Sequence, residues 1–237
     1  MKIAITIPVF NQIDLLQKCL ASIAANLPKH DEVEIVLVNN GSTEDITPAL
    51  KSAGVLKVSI IHNRRNQGVT IPWNQGLDAA LEGGADVVCV CNSDVVFGPD
   101  VLQDCSIAAI LRGVSFPLSI QGGPMPKQFD VIAQTLNDVP LDRAMKVTGG
   151  FAGWCFFLAR DVIAEIGRFD DNFTLWYQDT DYHNRLRAKD YQPVEVRSCL
   201  IHHFESQTIL SLPQQFDSFG WRAADQKHYE KKYAVKL

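Results

Sequence analysis

The stretch Val87-Val88-Cys89-Val90-Cys91-Asn92-Ser93-Asp94-Val95-Val96-Phe97 constrains the fold more than any other part of the chain. Its first five residues are apolar, with no polar position among them. That is the pattern of a strand buried on both faces of a parallel sheet. Such a strand needs helices above and below it, so it commits the chain to an α/β architecture. The run stops on Asn92-Ser93-Asp94, and Gly98-Pro99 breaks the chain soon afterwards. Ligands in open α/β sheets gather at the carboxyl ends of the strands. Asp94 is therefore placed to hold a metal or a ribose. A second reading is open at this point: Asn92 and Asp94 form a turn and cap the following helix.

The flanking sequence extends the pattern. Ile3 to Val9 reads as a strand closed by Pro8-Val9-Phe10-Asn11. A helix follows, with Leu15, Leu16, Cys19, Leu20, Ile23 and Leu27 at helical spacing and Asn11 as its cap. Glu34 to Val38 is a second strand, closed by Asn39-Asn40-Gly41, with Ser42 or Thr43 starting a helix. Val58 to His62 is a third strand. Asn63-Arg64-Arg65-Asn66-Gln67-Gly68 then leads to a helix carrying Trp73, Leu77, Ala80 and Leu81, which ends at Gly83-Gly84. Strands and helices alternating at this spacing imply right-handed βαβ crossovers.

Beyond Asp94, Pro99 to Leu111 reads as helix and Ser115 to Ala144 as irregular. Trp154 to Ala159 reads as a strand and Asp161 to Ile166 as a short helix. Another helix opens at Trp176 to Asp181, a last strand ends on His202-His203, and Leu212 to Tyr233 is a helical tail with Phe216, Phe219, Trp221 and Tyr229 for packing.

Composition removes several function classes. A net charge of −5 over 237 residues supplies no basic field for nucleic acid or anionic lipid. No apolar run approaches the roughly 18 residues of a membrane span. Met1 to Ile7 enters a strand directly with no signal-peptide pattern. The six cysteines lie mostly in apolar runs, where a thiol packs as a small hydrophobe, which suits a reducing, cytoplasmic setting. Cys89 and Cys91 share a strand face, but no second Cys/His pair has zinc spacing. Neither a G-x-G-x-x-G turn nor a G-x-x-x-x-G-K-[ST] loop is present, which argues against Rossmann-type dinucleotide binding and P-loop chemistry.

A series of short blocks remains. In order they are Ile7-Pro8-Val9-Phe10-Asn11, Asn39-Asn40-Gly41-Ser42-Thr43, Asn66-Gln67-Gly68 with Asn74-Gln75-Gly76, Asn92-Ser93-Asp94, Gly149-Gly150-Phe151, Gly167-Arg168-Phe169-Asp170, Gln178-Asp179-Thr180-Asp181, and His203 with Thr208. Each is short, but their order and spacing resemble those of a family 2 glycosyltransferase of the GT-A fold over nearly the whole chain.

The resemblance implies one α/β domain with a mostly parallel central sheet flanked by helices. Residues 1–97 would form its nucleotide-binding half and residues 98–237 its acceptor side. It implies a UDP-, GDP- or dTDP-linked sugar as donor and a glycan or other hydroxyl as acceptor. Pro8, Phe10, Asn11, Asn39, Asn40, Asn66, Gly68, Asn74, Asn92, Ser93 and Asp94 would line the donor site. A divalent cation, manganese or magnesium, would be held by Asp94 and His203, with His202 structural.

Asp179 would be the base that takes the acceptor proton, and Asp181 would orient the site or cap the helix. The chain departs from the family where Asn39-Asn40 replaces an acid pair, Asn92 the first acid of D-x-D, and Gln178 a Glu. An Asn amide both donates and accepts, so it can pair with a base edge or simply form a turn. Trp154 and Trp176 suit either a sugar face or the core. Two rivals stand beside this reading. One is a nucleotidyltransferase, which would be expected to carry a Gly-rich, Arg-containing loop after strand one. The other is a nucleotide-sugar-binding module without transferase activity, for which the retained Asp94, Asp179 and His203 are a poor fit.

Overall fold

The computed structural model describes residues 1–54, 56–151, 153–204 and 218–237. Thr208, Phe216 and the start of the expected tail helix at Leu212 lie outside the described residues, as does the side chain of Phe219.

The first half forms as its periodicity predicts. Strands β1 (Lys2–Val9), β2 (Glu32–Asn39), β3 (Lys57–His62) and β4 (Val87–Cys91) alternate with helices α1 (Ile13–Ala25), α2 (Thr47–Leu50) and α3 (Thr70–Glu82). All four strands are parallel, in the order β3-β2-β1-β4. Strand β4 shows why a continuous apolar run is required. Val87, Cys89 and Cys91 face one core, with α1 beneath, while Val88 and Val90 face a second core under α3. All six cysteines are buried with free thiols.

The expected helix start at Ser42 or Thr43 is not formed. The Thr43 and Glu44 amides donate to Asn11 Oδ1 and that of Ser42 to Asn39 Oδ1 instead, and the short α2 begins at Thr47. Asn11 is correspondingly not the cap of α1: Gln12 holds that position in a left-handed conformation without a side-chain cap bond.

The central stretch is two strands rather than one. After Asp94 the chain turns into β5 (Val95–Phe97), which crosses to the far edge of the sheet. Helix α4 (Val101–Arg112) then packs beneath the sheet. The segment from Ser115 to Ala144, expected to be irregular, is ordered as β6 (Val114–Gln121), α5 (Phe129–Asn137) and α6 (Leu141–Ala144).

Two features hid this order. Pro117 interrupts β6 at a register shift, a position where the ladder tolerates a missing donor. Helix α5 is only nine residues long, buries Phe129 and Ala133 and leaves Val131 and Ile132 exposed, so too few residues mark its inner face for the period to stand out in the sequence. Strands β7 (Met145–Val147), β8 (Cys155–Ala159) and β9 (Val194–His203) complete a nine-stranded sheet. Helices α7 (Arg160–Ile166), α8 (Gln178–Arg187) and α9 (Ser218–Tyr233) cover it. Three of the four parallel ladders, β1–β2, β2–β3 and β6–β9, are longer than any antiparallel one. Antiparallel pairs appear only in the second half, where β8 lies beside β4 and β9 beside β5.

Candidate active site

A cleft of about 350 Å³ opens over the carboxyl ends of β1 and β4. From the first half it is lined by Pro8, Val9, Phe10, Asn40, Asn66, Gly68, Val69 and Trp73, and from the β4–β5 turn by Asn92, Ser93 and Asp94. Gln121, Gly153, Trp154, the run Leu175 to Asp179, His203 and Trp221 close the other side. Two distant parts of the chain thus face each other across one space.

The β5–β9 pairing creates the first charged feature. Val95 registers against His203, and Phe204 N–H donates to the Asp94 carbonyl at 3.0 Å. This brings His203 Nε2 to 3.3 Å from Asp94 Oδ1, with Asp94 4% and His203 6% exposed. The imidazole is stacked flat on Trp154, with centroids 5.2 Å apart and 9° between planes.

The pair fits a divalent cation. Two ligands at about 2.1 Å from one ion and at right angles stand about 3 Å apart, close to the separation found. No cluster of three candidate ligands occurs among the described residues. A metal here would therefore complete its shell with substrate phosphates and water, the usual arrangement for magnesium. His202 is turned away, its Nε2 against the Gly123 carbonyl at 3.3 Å and its ring against Phe129 and Phe204, a packing role.

Asp179 faces the cleft from the first turn of α8. Its Oδ1 accepts the Thr180 amide at 2.7 Å, and Gly153 leaves space beside Oδ2, where a Cβ would intrude to 2.7 Å. Burial raises the Asp179 pKa, outweighing the Thr180 bonds that favour the charge. A carboxylate shifted upward is a better proton acceptor than an ordinary one. Beside it, Gln178 is 6% exposed, lines the cleft, and has no hydrogen-bond partner for Oε1. Trp176 Nε1 is likewise buried without a partner. Buried polar atoms are almost always paired, so these two point to a ligand. Trp154 and Trp176 both line the cleft, and Trp154 also packs against the core.

Four expected site residues do not line the cleft. Asn11 Oδ1 accepts from the amides of Thr43 and Glu44, and Asn39 Oδ1 from that of Ser42, so both stitch the loops behind the cleft. Asn74 is buried against the turn after α7, with Nδ2 on the Phe169 carbonyl and on Asp171. Asp181 is fully buried and receives Tyr233 Oη, Lys232 Nζ and Arg185 Nε at 2.8, 2.6 and 3.0 Å. It cannot meet a substrate from there: it faces α9 while Asp179, half a turn earlier, faces the cleft.

Asn40 does line the cleft, but its amide is fully engaged. Nδ2 donates to Asn66 Oδ1 and the Gly68 carbonyl, and Oδ1 accepts from Asn63 Nδ2 and Gln67 N–H. It has no capacity left to read a base. Gly153, Tyr177 and Trp221 went unnoticed as site residues in the sequence because none sits in a motif.

Residues 4–108 match the family model described as Glycosyl transferase family 2, a span that contains the whole parallel half and the Asn92-Ser93-Asp94 turn. The chain resembles that family over this span. It is 24% identical over 227 residues to an N-acetylglucosaminyl-diphospho-decaprenol L-rhamnosyltransferase of Mycobacterium tuberculosis, covering 79% of this chain and 71% of the relative. GalNAc-T7 with UDP, GalNAc and Mn2+ superposes with a TM-score of 0.66 at 14% identity, over 86% of this chain and 44% of that one. The mannosyltransferase PcManGT from Pyrobaculum calidifontis, in complex with GDP-Man and Mn2+, gives 0.62 at 16% identity, over 98% and 63%. This chain thus spans less than two thirds of either structure, and the likeness to them is one of fold, the GT-A fold. No helix among the described residues is long and apolar enough to cross a membrane.

Proposed function

We propose that this protein is a glycosyltransferase that inverts the anomeric centre in a single displacement, with Asp179 as general base and a divalent cation held by Asp94 and His203. The observation that carries the reading is the cleft itself. It brings the Asp94–His203 pair and Asp179 into the lining of one space, Asp94 from the first half of the chain and His203 and Asp179 from the second. Residues 1–97 would hold the nucleotide, a uridine, guanosine or thymidine diphosphate. Residues 98–237 would present a glycan or other hydroxyl-bearing acceptor.

In this mechanism Asp179 takes the proton from the acceptor hydroxyl. The oxygen's electron pair forms the new bond to the anomeric carbon as the bond to the diphosphate breaks and its electrons leave with the phosphate. Manganese or magnesium, when bound, neutralises charge developing on that leaving group. Asp94 and His203 orient it, and Trp154 keeps the imidazole in place. Trp73, Leu175 and Trp176 give the cleft apolar walls, beside which charge interactions are stronger than in open water.

The test begins with a panel of UDP-, GDP- and dTDP-sugars, measuring release of nucleoside diphosphate with and without acceptor glycans. On the best donor, Asp179→Asn is expected to bind nucleotide normally and to turn over about 10²–10⁴-fold more slowly, as for loss of a general base. Normal turnover by this variant would remove Asp179 as the base. Donor binding without turnover in the native chain would favour a binding module, and formation of nucleotide sugar from nucleoside triphosphate would favour a nucleotidyltransferase.

A further inference from the structure

Asp179 is presented by a segment with no regular structure of its own. Thr174, Leu175 and Trp176 lie between the turn after α7 and the start of α8, so their amides need partners outside any ladder or helix. All three find the same one. Asp225 Oδ1 accepts Thr174 N–H at 2.9 Å, and Asp225 Oδ2 accepts those of Leu175 and Trp176, each at 2.9 Å. Asp225 comes from α9 and is 1% exposed. Among the described residues no lysine, arginine or histidine forms a salt bridge with it, so the three amides are what stabilise its charge. Bonds from N–H to a carboxylate are the strong kind.

The same peptide reaches across the cleft. The Thr174 carbonyl accepts Val69 N–H at 2.7 Å and Thr70 N–H at 3.4 Å, at the start of α3. Gly68, with φ of 80°, lies against that oxygen so closely that any Cβ would collide with it. Downstream, Tyr177 has φ of 67°, a left-handed conformation that a bulky residue adopts only when its surroundings impose it. Gln178 and Asp179 follow at once.

Helix α9 does not need Asp225 to stay docked. Lys232 and His228 reach Asp170 at 2.7 and 3.1 Å, Lys232 and Tyr233 reach Asp181, and Asn184 Nδ2 donates to Tyr229 Oη at 2.8 Å. What Asp225 adds is confined to the segment that carries the chain into Asp179.

We propose that Asp225 is a positioning residue for the transfer reaction, holding the Thr174–Trp176 backbone from α9 so that Asp179 is aimed into the cleft. This rests on Asp179 being the base. The rival account is that Asp225 contributes to folding stability alone.

Two variants of the full chain separate these accounts. Asp225→Ala removes all three acceptor contacts, and Asp225→Asn keeps the size but converts one accepting oxygen into a donor. Turnover of the panel's best donor is measured per nucleotide-binding site, counted by titration with its nucleoside diphosphate and Mn2+, which cancels any unfolded fraction. Asp225→Ala is expected to lower turnover per site by about 10–100-fold, the scale of a small misplacement of a reacting group, with Asp225→Asn lower by a smaller factor. Nucleotide affinity should stay within about twofold. Repeated in the Asp179→Asn background, Asp225→Ala should cost little more, because residues that act as a unit are not additive.

Native turnover per site in both variants overturns the proposal, and so does an undiminished loss in the Asp179→Asn background. Should Asp225→Ala fail to fold, the Asn variant decides alone: native turnover per site overturns the proposal, and a loss that vanishes without Asp179 supports it. Normal turnover by Asp179→Asn, by contrast, removes the base itself.

Discussion

The two walls of the cleft are built on opposite principles. On the donor side the Asn11, Asn39 and Asn40 amides are satisfied within the protein, and Trp73 Nε1 is the buried lining atom left over. Asn40, 3% exposed, makes four hydrogen bonds to residues 63–68, and Asn11 and Asn39 fasten the neighbouring loops. On the acceptor side the polar atoms are left over. Gln178 Oε1, Trp176 Nε1 and His203 Nδ1 are buried without partners, Tyr177 is left-handed, and Asp179 carries a pKa raised by burial. A wall whose groups are already paired is a rigid cradle offering backbone and shape to a nucleotide. A wall with unpaired groups is complete only when a ligand supplies the partners.

The sharpest way to break this comparison is at the point where the walls meet. Asp94→Ala should reduce transfer by about 10²–10³-fold, since a bound cation contributes several kcal/mol of charge stabilisation. It should also abolish any dependence of nucleoside diphosphate affinity on added Mn2+. Native enzyme in chelator should behave as the variant does. Transfer that ignores both the substitution and the chelator would leave Asp94 and His203 as a structural pair.

A pair of substitutions sharpens the contrast between the walls. Asn40→Ala leaves four partners unpaired and should destabilise the fold by about 1–3 kcal/mol in a denaturant midpoint, with nucleotide affinity lost only through the loop it organises. Gln178→Ala removes an amide whose Oε1 has no partner, so it should leave stability close to native and show itself in the KM for acceptor. If Asn40→Ala is neutral in stability and Gln178→Ala is the destabilising change, the walls have been assigned the wrong way round.

The smallest effects follow from protons. If Asp179 is the base, turnover requires it ionised, so kcat/KM should rise with pH along an acid limb displaced upward from that of an exposed Asp, in the direction of the raised pKa. The same shift has a stability sign. The folded state holds this proton more tightly than the unfolded chain does, so stability declines as pH rises through the folded pKa. Asp179→Asn, which cannot ionise, should therefore be slightly more stable than native at neutral pH and equal to it in acid. A limb at the position of an exposed Asp, or an Asn variant less stable at neutral pH, would contradict the burial argument.

Helix and strand alternation through β4, the burial of the Val87–Cys91 strand on both faces, and the place of Asp94 at its carboxyl end were determined by the sequence alone. Local periodicity encodes them. The helix start that carries Asp179 was legible for the same reason. What only the tertiary structure decided was which of those residues meet. His203 reaches Asp94 because β5 leaves the central strand and pairs with β9 at the far edge, a registry that no local pattern specifies. Asp181 has the residue type and spacing of a catalytic partner, yet it turns to α9 and is closed off by Lys232, Tyr233 and Arg185. Asp225 reads in sequence as one more polar residue of a surface helix, although it holds three amides at the rim of the cleft. Local sequence sets the backbone period and so the face a residue can present. The partner waiting on that face comes from a part of the chain that local period does not reach.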